Sequence, residues 1–194
     1  VVADVAWRRA DQARDRVLLH VLGHVDADHR LLVVEQELGE RARKLGARTF
    51  ELMSFLDDVM HYKPAGVKFP ATATYHDSCS GLRELGVFDQ PRALLGQVGG
   101  LTMKPLEGND VCCGFGGTFC VKYPAISNAV VSEKAAAIER TGAQVRLGGD
   151  MGCVMNMAGK LHRNGSPVLV YHAAEVLAGM ADAPSISERS SDKG

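Results

Sequence analysis

Ala71-Thr72-Ala73-Thr74-Tyr75-His76-Asp77-Ser78-Cys79 is the stretch on which the fold turns. Residues 71–75 are rich in Thr and Tyr and lie between Pro70 and Asp77, so they read as a short strand. The end of that strand delivers His76, Asp77 and Cys79, which places a thiol on a strand-to-helix turn. The same order recurs downstream. Residues 101–106 read as a second strand running toward Cys112 and Cys113, and residues 143–147 as a third, followed by Gly148-Gly149 and then Cys153. A fourth strand, residues 168–171, ends at His172.

Helical patterns separate these strands. Leu52, Phe55, Leu56 and Val59 recur at i, i+3, i+4 and i+7, the spacing of a core-facing helix stripe. Before them, residues 35–45 read as a charged helix, and Pro64, Gly66 and Pro70 as a connector. Residues 82–87 and 91–98 read as two short helical pieces. Pro124 is well placed to open a helix with Ile126, Ala129, Val130 and Ala137 on one face and Gly142 as its stop. Residues 151–163 form another helix, with Asp150 as its cap, and residues 173–180 a last one. Four strands alternating with helices imply an α/β fold: a parallel sheet of about four strands flanked by helices, with the cysteines gathered at the C-terminal strand edge. The organisation is a helical lead-in over residues 35–69, a cysteine-rich domain over 70–181, and a tail over 182–194 that lacks an apolar face and is expected to be disordered. Residues 1–34 are an unassigned mixture of Arg, Asp, His and Val that reads as an aberrant or truncated segment.

Composition narrows the class. A chain of 194 residues with 46% hydrophobic content can bury one good core. A net charge of -1 and the lack of a basic run leave nothing to neutralise phosphates, so nucleic acid is not expected as a partner. The most apolar stretch, residues 168–181, is broken by His172 and Glu175 and is too short to span a bilayer, so no membrane insertion is expected. Five cysteines, an odd number without a secretion signal, point to reduced thiols that bind metal or react, and to a cytoplasmic location.

Four of those cysteines form a pattern. Cys112 and Cys113 are adjacent and precede Gly114-Phe115-Gly116-Gly117; 32 residues separate Cys79 from Cys112, and 39 separate Cys113 from Cys153. In an open parallel sheet, ligands collect outside the carboxyl ends of the strands, where all four thiols fall. Thiolates select iron-sulfur clusters, zinc or Cu(I). Structural zinc usually takes two short-spaced pairs, whereas neighbouring thiols strain a single tetrahedral ion and more readily reach different irons of a [4Fe-4S] cluster. Cys153, in the first turn of its helix, adds a favourable dipole for an anionic group. Buried cysteines are otherwise small core residues, the even alternative for Cys120. A thiol enzyme using Cys112 or Cys113 as nucleophile, the other resolving a disulfide, is a third reading.

Longer strings carry a resemblance. Tyr75-His-Asp-Ser-Cys79, Cys112-Cys-Gly-Phe-Gly-Gly-Thr-Phe119, Asp150-Met-Gly-Cys-Val-Met-Asn156 and His172-Ala-Ala-Glu-Val-Leu177 resemble the cysteine-rich CCG-domain iron-sulfur proteins, those of lactate utilisation above all. The iron-sulfur subunit of glycolate oxidase and the cysteine-rich subunit of heterodisulfide reductase are similar. The resemblance covers residues 40–180 and only the second of the family's two repeats. It implies an iron-sulfur electron-transfer subunit of a complex that oxidises L-lactate to pyruvate with two further subunits, one a ferredoxin-type iron-sulfur protein. It also implies Cys79, Cys112, Cys113 and Cys153 as ligands of a cluster of [4Fe-4S] type. The reductases have a cysteine where Asp150 stands, which speaks against their non-cubane cluster here. A zinc-stabilised interaction module without redox role is the alternative of another class.

Three histidine readings complete the set. His20 and His24, at i and i+4 with His29 nearby, have helical metal-ligand spacing but no placed acidic third ligand. His76 and His172 each end a strand on the thiol side, where a histidine handles protons or, more commonly, supports a neighbour. The glycines after Cys113 match no phosphate-loop string.

Overall fold

The computed structural model describes residue 39 and residues 41–188. The expected segment 1–34, the His20/His24 pair and most of the start of the 35–45 helix lie outside the described residues; residues 41–46 are helical. The elements that follow are α1 (Leu52–Ser54), running into a π-turn (Phe55–Val59), β1 (Lys68–His76), a second π-turn (Ser80–Glu84), α2 (Asp89–Leu95) and β2 (Gly99–Lys104). Then come α3 (Phe119–Lys122), α4 (Pro124–Arg140), β3 (Val145–Gly148), α5 (Met151–Arg163), β4 (Leu169–His172) and α6 (Ala173–Leu177).

The four strands form one parallel sheet in the order β2-β1-β3-β4, as the alternating pattern requires. Helices cover both faces. Ala73, Tyr75, Val145, Leu147 and Tyr171 point to one face and pack against Met53, Leu94, Leu95, Val176 and Leu177 of α1, α2 and α6. The opposite face carries Val170 and lies under α4 and α5, through Val131, Ala135, Ile138, Val154, Met157 and Leu161. Strand order reverses between β1 and β3, because β2 lies to one side of β1 and the later strands to the other. A crevice opens at such a switch point beyond the strand ends. The segment after β1, with Cys79, and the first turn of α5 after β3, with Cys153, flank it.

Several expectations of detail are corrected. Of the stripe Leu52, Phe55, Leu56 and Val59, only Leu56 packs on the core; the other three are exposed, and Met53 is the buried residue. The cause is the winding: the Met60 N–H donates to Phe55 O, an i to i+5 bond that rotates the faces relative to an α-helix. In α4 the inward residues are Ser127, Val131, Lys134, Ala135, Ala137 and Ile138, while Ile126 and Ala129 are exposed. The inward face is set by two polar groups, since the Ser127 hydroxyl donates to Gly114 O and Lys134 Nζ to Gly108 O. Pro70, expected as a connector, lies inside β1 where the register with β2 shifts between Lys68 and Ala71, the place a strand tolerates proline. In the tail, residues 182–188 pack back on the domain, with Ser185 and Ser187 buried and the Ile186 N–H donating to Val170 O.

One buried charge fastens the end of β1. Asp77, 3% exposed, accepts both guanidinium arms of Arg92 at 2.9 and 2.7 Å and the Asn109 side-chain amide. Its backbone N–H donates to Asn109 O at 3.1 Å, so the loops before Cys79 and Cys112 are tied together. Arg92 is 34% exposed, so losing its partner costs less than the about 3–5 kcal/mol of a fully buried pair. Asp77→Ala, which also frees the Asn109 amide, is expected to lower the unfolding free energy by about 2 kcal/mol in a denaturant titration; a change within about 0.5 kcal/mol would show that the clamp carries no weight.

Candidate metal centre

Local chemistry explains how each thiol reaches the crevice. Asp150 adopts extended backbone and its carboxylate accepts the Cys153 N–H at 3.0 Å, the N-cap contact expected from the sequence. This cap holds Cys153 in the first turn of α5. Gly114 has φ +83°, and a Cβ there would lie 2.7 Å from Ser127 O, so only glycine lets the Cys112-Cys113 loop sit against α4. Phe115 presses on α5 at Gly152, where a Cβ would fall 2.5 Å from its ring. The Asn156 amide of α5 donates to Cys113 O at 2.9 Å. The glycine-rich loop is thus clamped between α4 and the start of α5.

Within that clamp the Cys113 and Cys153 sulfurs lie 3.0 Å apart, both buried and both free. One proton serves the pair. Cys113 is held well below the usual thiol range, first by its hydrogen bond with Cys153 and then by the nearby His76 ring and the Phe115 N–H, while burial opposes them. Cys153 is raised by the same contact and by burial. We assign the thiolate to Cys113 because the Phe115 N–H and the nearby imidazole act on it and not on Cys153.

His76 completes a set of three. Its ring and the two sulfurs offer ligand atoms that all lie within 4.8 Å of one another. The ring is 1% exposed, and neither nitrogen completes a hydrogen bond among the described residues. Burial lowers its pKa, and the Arg146 and Lys134 charges act in the same direction against the pull of Cys113, so the ring is neutral and a lone pair is free to ligate. Of the two readings open for His76, the orphaned ring favours ligation or proton handling over a satisfied core histidine. His172 resolves the other way. Its Nδ1 accepts the Ala174 N–H at 3.1 Å and its Nε2 contacts Gly149 O at 2.9 Å, which makes it the cap of α6 and a brace for the loop after β3.

Cys79 and Cys112 stand at the rim. Cys79 is partly buried and Cys112 exposed; burial, then the neighbouring Cys112, then Cys113 push the Cys79 thiol up, so these sulfurs share one electrostatic site. Cys112 also accepts the Gly114 N–H at 3.3 Å. Cys120 belongs elsewhere: its thiol contacts Gly117 O at 3.1 Å at the start of α3. The structure therefore seats Cys113 and Cys153 in direct contact, brings His76 to them, and leaves Cys79 and Cys112 on adjoining loops. A set of soft thiol side chains, two of them buried, with one buried imidazole fits a thiophilic metal or an iron-sulfur cluster.

The profile of the cysteine-rich domain named CCG matches residues 73–158, from mid-β1 to mid-α5. Lactate utilization protein A of Exiguobacterium sp. is 51% identical over 137 residues, 71% of this chain and 56% of that protein. The chain carries a CCG cysteine-rich domain and is homologous to lactate utilization protein A. Proteins of that name from Halalkalibacterium halodurans and Shouchella clausii are 47% and 45% identical over 147 residues, 76% of this chain and 60% and 62% of theirs. The chain thus spans 56–62% of the length of these relatives. No solved structure matches it significantly. Within the CCG domain, all four of Cys79, Cys112, Cys113 and Cys153 fall inside the matched residues. No described helix is long and apolar enough to cross a membrane.

The site residue that sequence patterns do not single out is Arg146. A charged residue in a predicted strand reads as solvent-facing, yet this one is fully buried. The only signal available is its alternation between Val145 and Leu147, which assigns it to the opposite face. For the thiolate, the metal-free CCG domain is expected to retain ultraviolet thiolate absorbance at pH about 6, where an ordinary thiol with pKa near 8.5 is protonated. Cys113→Ser should abolish the band; its survival in that variant would assign the thiolate to another cysteine.

Proposed function

We propose that this protein is an iron-sulfur electron-transfer subunit of a cytoplasmic complex oxidising L-lactate to pyruvate. The observation that carries the reading is the buried Cys113–Cys153 contact with His76 beside it, at a strand switch point rimmed by Cys79 and Cys112. The substrate comes from homology to lactate utilization protein A. A glycolate oxidase or heterodisulfide reductase-like subunit is the neighbouring assignment.

Cys79, Cys112, Cys113 and Cys153 are the proposed ligands of a [4Fe-4S]-type cluster. When bound, such a cluster accepts and donates single electrons. The chain's own residues do the rest. Asp150 fixes Cys153, the Asp77–Asn109 contact fixes the two outer loops, and α4 and α5 shield Cys113 and Cys153 from water. The partners proposed are two further subunits, one a ferredoxin-type iron-sulfur protein that takes part in the electron relay.

A second reading has an observation of its own. His76, Cys113 and Cys153 are compact enough to hold one metal ion, which suits a zinc-stabilised interaction module without redox role. Anaerobic purification with metal and acid-labile sulfide analysis separates the two. Iron and sulfide in near-equal amounts are expected, lost at least tenfold in Cys113→Ala and Cys153→Ala and kept in Cys120→Ala. Zinc without sulfide would sink the electron-transfer reading.

A further inference from the structure

Arg146 occupies the centre of the sheet, in β3, paired in register with Thr74 of β1 and Val170 of β4. Its neighbours Val145 and Leu147 point into one core, so Arg146 points to the face beneath α4 and α5, the side on which Cys113 and Cys153 lie. The residue is 0% exposed, and Nε, Nη1 and Nη2 have no hydrogen-bond partner among the described residues. The guanidinium runs along the strand toward the thiol edge. It lies against Gly148, where a Cβ would fall 2.9 Å from Nη2, so any side chain at 148 would displace it.

A permanently charged group with five donors is among the most costly to bury alone. The carboxylate in its electrostatic surroundings, Asp150, is engaged by the Cys153 N–H and the Ser80 hydroxyl. Tyr75 lies on the opposite face. The sulfurs of Cys113 and Cys153 lie on the same sheet face as Arg146, and the charge they carry, one thiolate in the metal-free pair, is the one left to answer it. Lys134 also feels them, yet its ammonium donates to Gly108 O. Of these two cations, Arg146 is the one whose donors have no partner among the described residues.

We propose that Arg146 is the internal counter-cation of the thiolate-bound centre: a non-ligand residue that compensates the charge of the sulfur shell and raises the reduction potential. The inference rests on the iron-sulfur reading above. It assigns to a strand residue outside the cysteine pattern the task of making the more reduced, more anionic state accessible. Hydrogen bonding and charge around the sulfurs are the levers by which a protein sets such a potential.

The test uses Arg146→Met and Arg146→Lys beside the wild-type chain, each prepared with and without metal and sulfide. Wild-type protein lacking iron and sulfide would refute the iron-sulfur reading and this inference with it. In the metal-free protein, where only the single charge of Cys113 faces Arg146, Arg146→Met should remain folded and melt close to the wild-type temperature; a large fall in Tm would make Arg146 a structural anchor and overturn the proposal. In the iron-loaded protein, an EPR-monitored redox titration of Arg146→Met should show at least a tenfold loss in the reduction equilibrium, about 59 mV to more negative potential for one electron. Arg146→Lys, which keeps the charge, should show a smaller shift and covers the case in which Arg146→Met fails to take up iron. An unchanged potential in Arg146→Met, or an Arg146→Lys shift as large as that expected for Arg146→Met, would overturn the proposal.

Discussion

The contact between the Cys113 and Cys153 sulfurs is the constraint around which the rest is arranged. Sulfurs 3.0 Å apart in a buried site require one shared proton or one shared metal centre, since two thiolates so close would repel strongly. Everything adjoining serves to keep them there. α5 is capped by Asp150 so that Cys153 begins its first turn, and α4 turns a serine and a lysine inward to receive the loop of Cys113. Packing in the second core thus serves the site as much as it serves stability.

The sheet supplies the second half of the arrangement. Because β1 and β3 are neighbours while the chain visits β2 between them, the loops leaving β1 and β3 splay apart over a crevice. His76 ends β1 and Gly148 ends β3 at matching register, so an imidazole and a bare backbone position face each other across that opening. Arg146 uses the space that the bare position leaves. The polar groups Thr74, His76 and Arg146 lie on one sheet face, and among the described residues Thr74 alone of the three finishes its hydrogen bonding, to Lys104 O. A sheet face normally given to aliphatic residues here carries unspent donors, which is a cost that a folded chain accepts where function needs it.

Sequence patterns reached some of this and missed the rest for definite reasons. The bounds of α5 were legible because Asp150 is a strong cap and Asn164-Gly165 a strong stop. The parallel sheet was legible because each strand was followed by a helix-forming segment instead of a tight turn. The inward face of α4 was hidden, since Ser127 and Lys134 point inward while Ile126 points out, the reverse of a hydropathy pattern. The face of α1 was hidden by the switch to π winding. His76 could be placed at a strand end, but its lack of partners is a property of three-dimensional surroundings. Arg146 was invisible for the same reason: one charged letter in a short strand says nothing until the strands on either side are known.

The uneven burial of the thiols gives the site a front and a back. Cys113 and Cys153 are sealed behind α4 and α5, whereas Cys112 opens to solvent and Cys79 is half covered. Cys112 is therefore the thiol of the four most open to a small oxidant, a chelator or a second protein, and the sealed pair the least. The centre is thereby polar in direction as well as in charge.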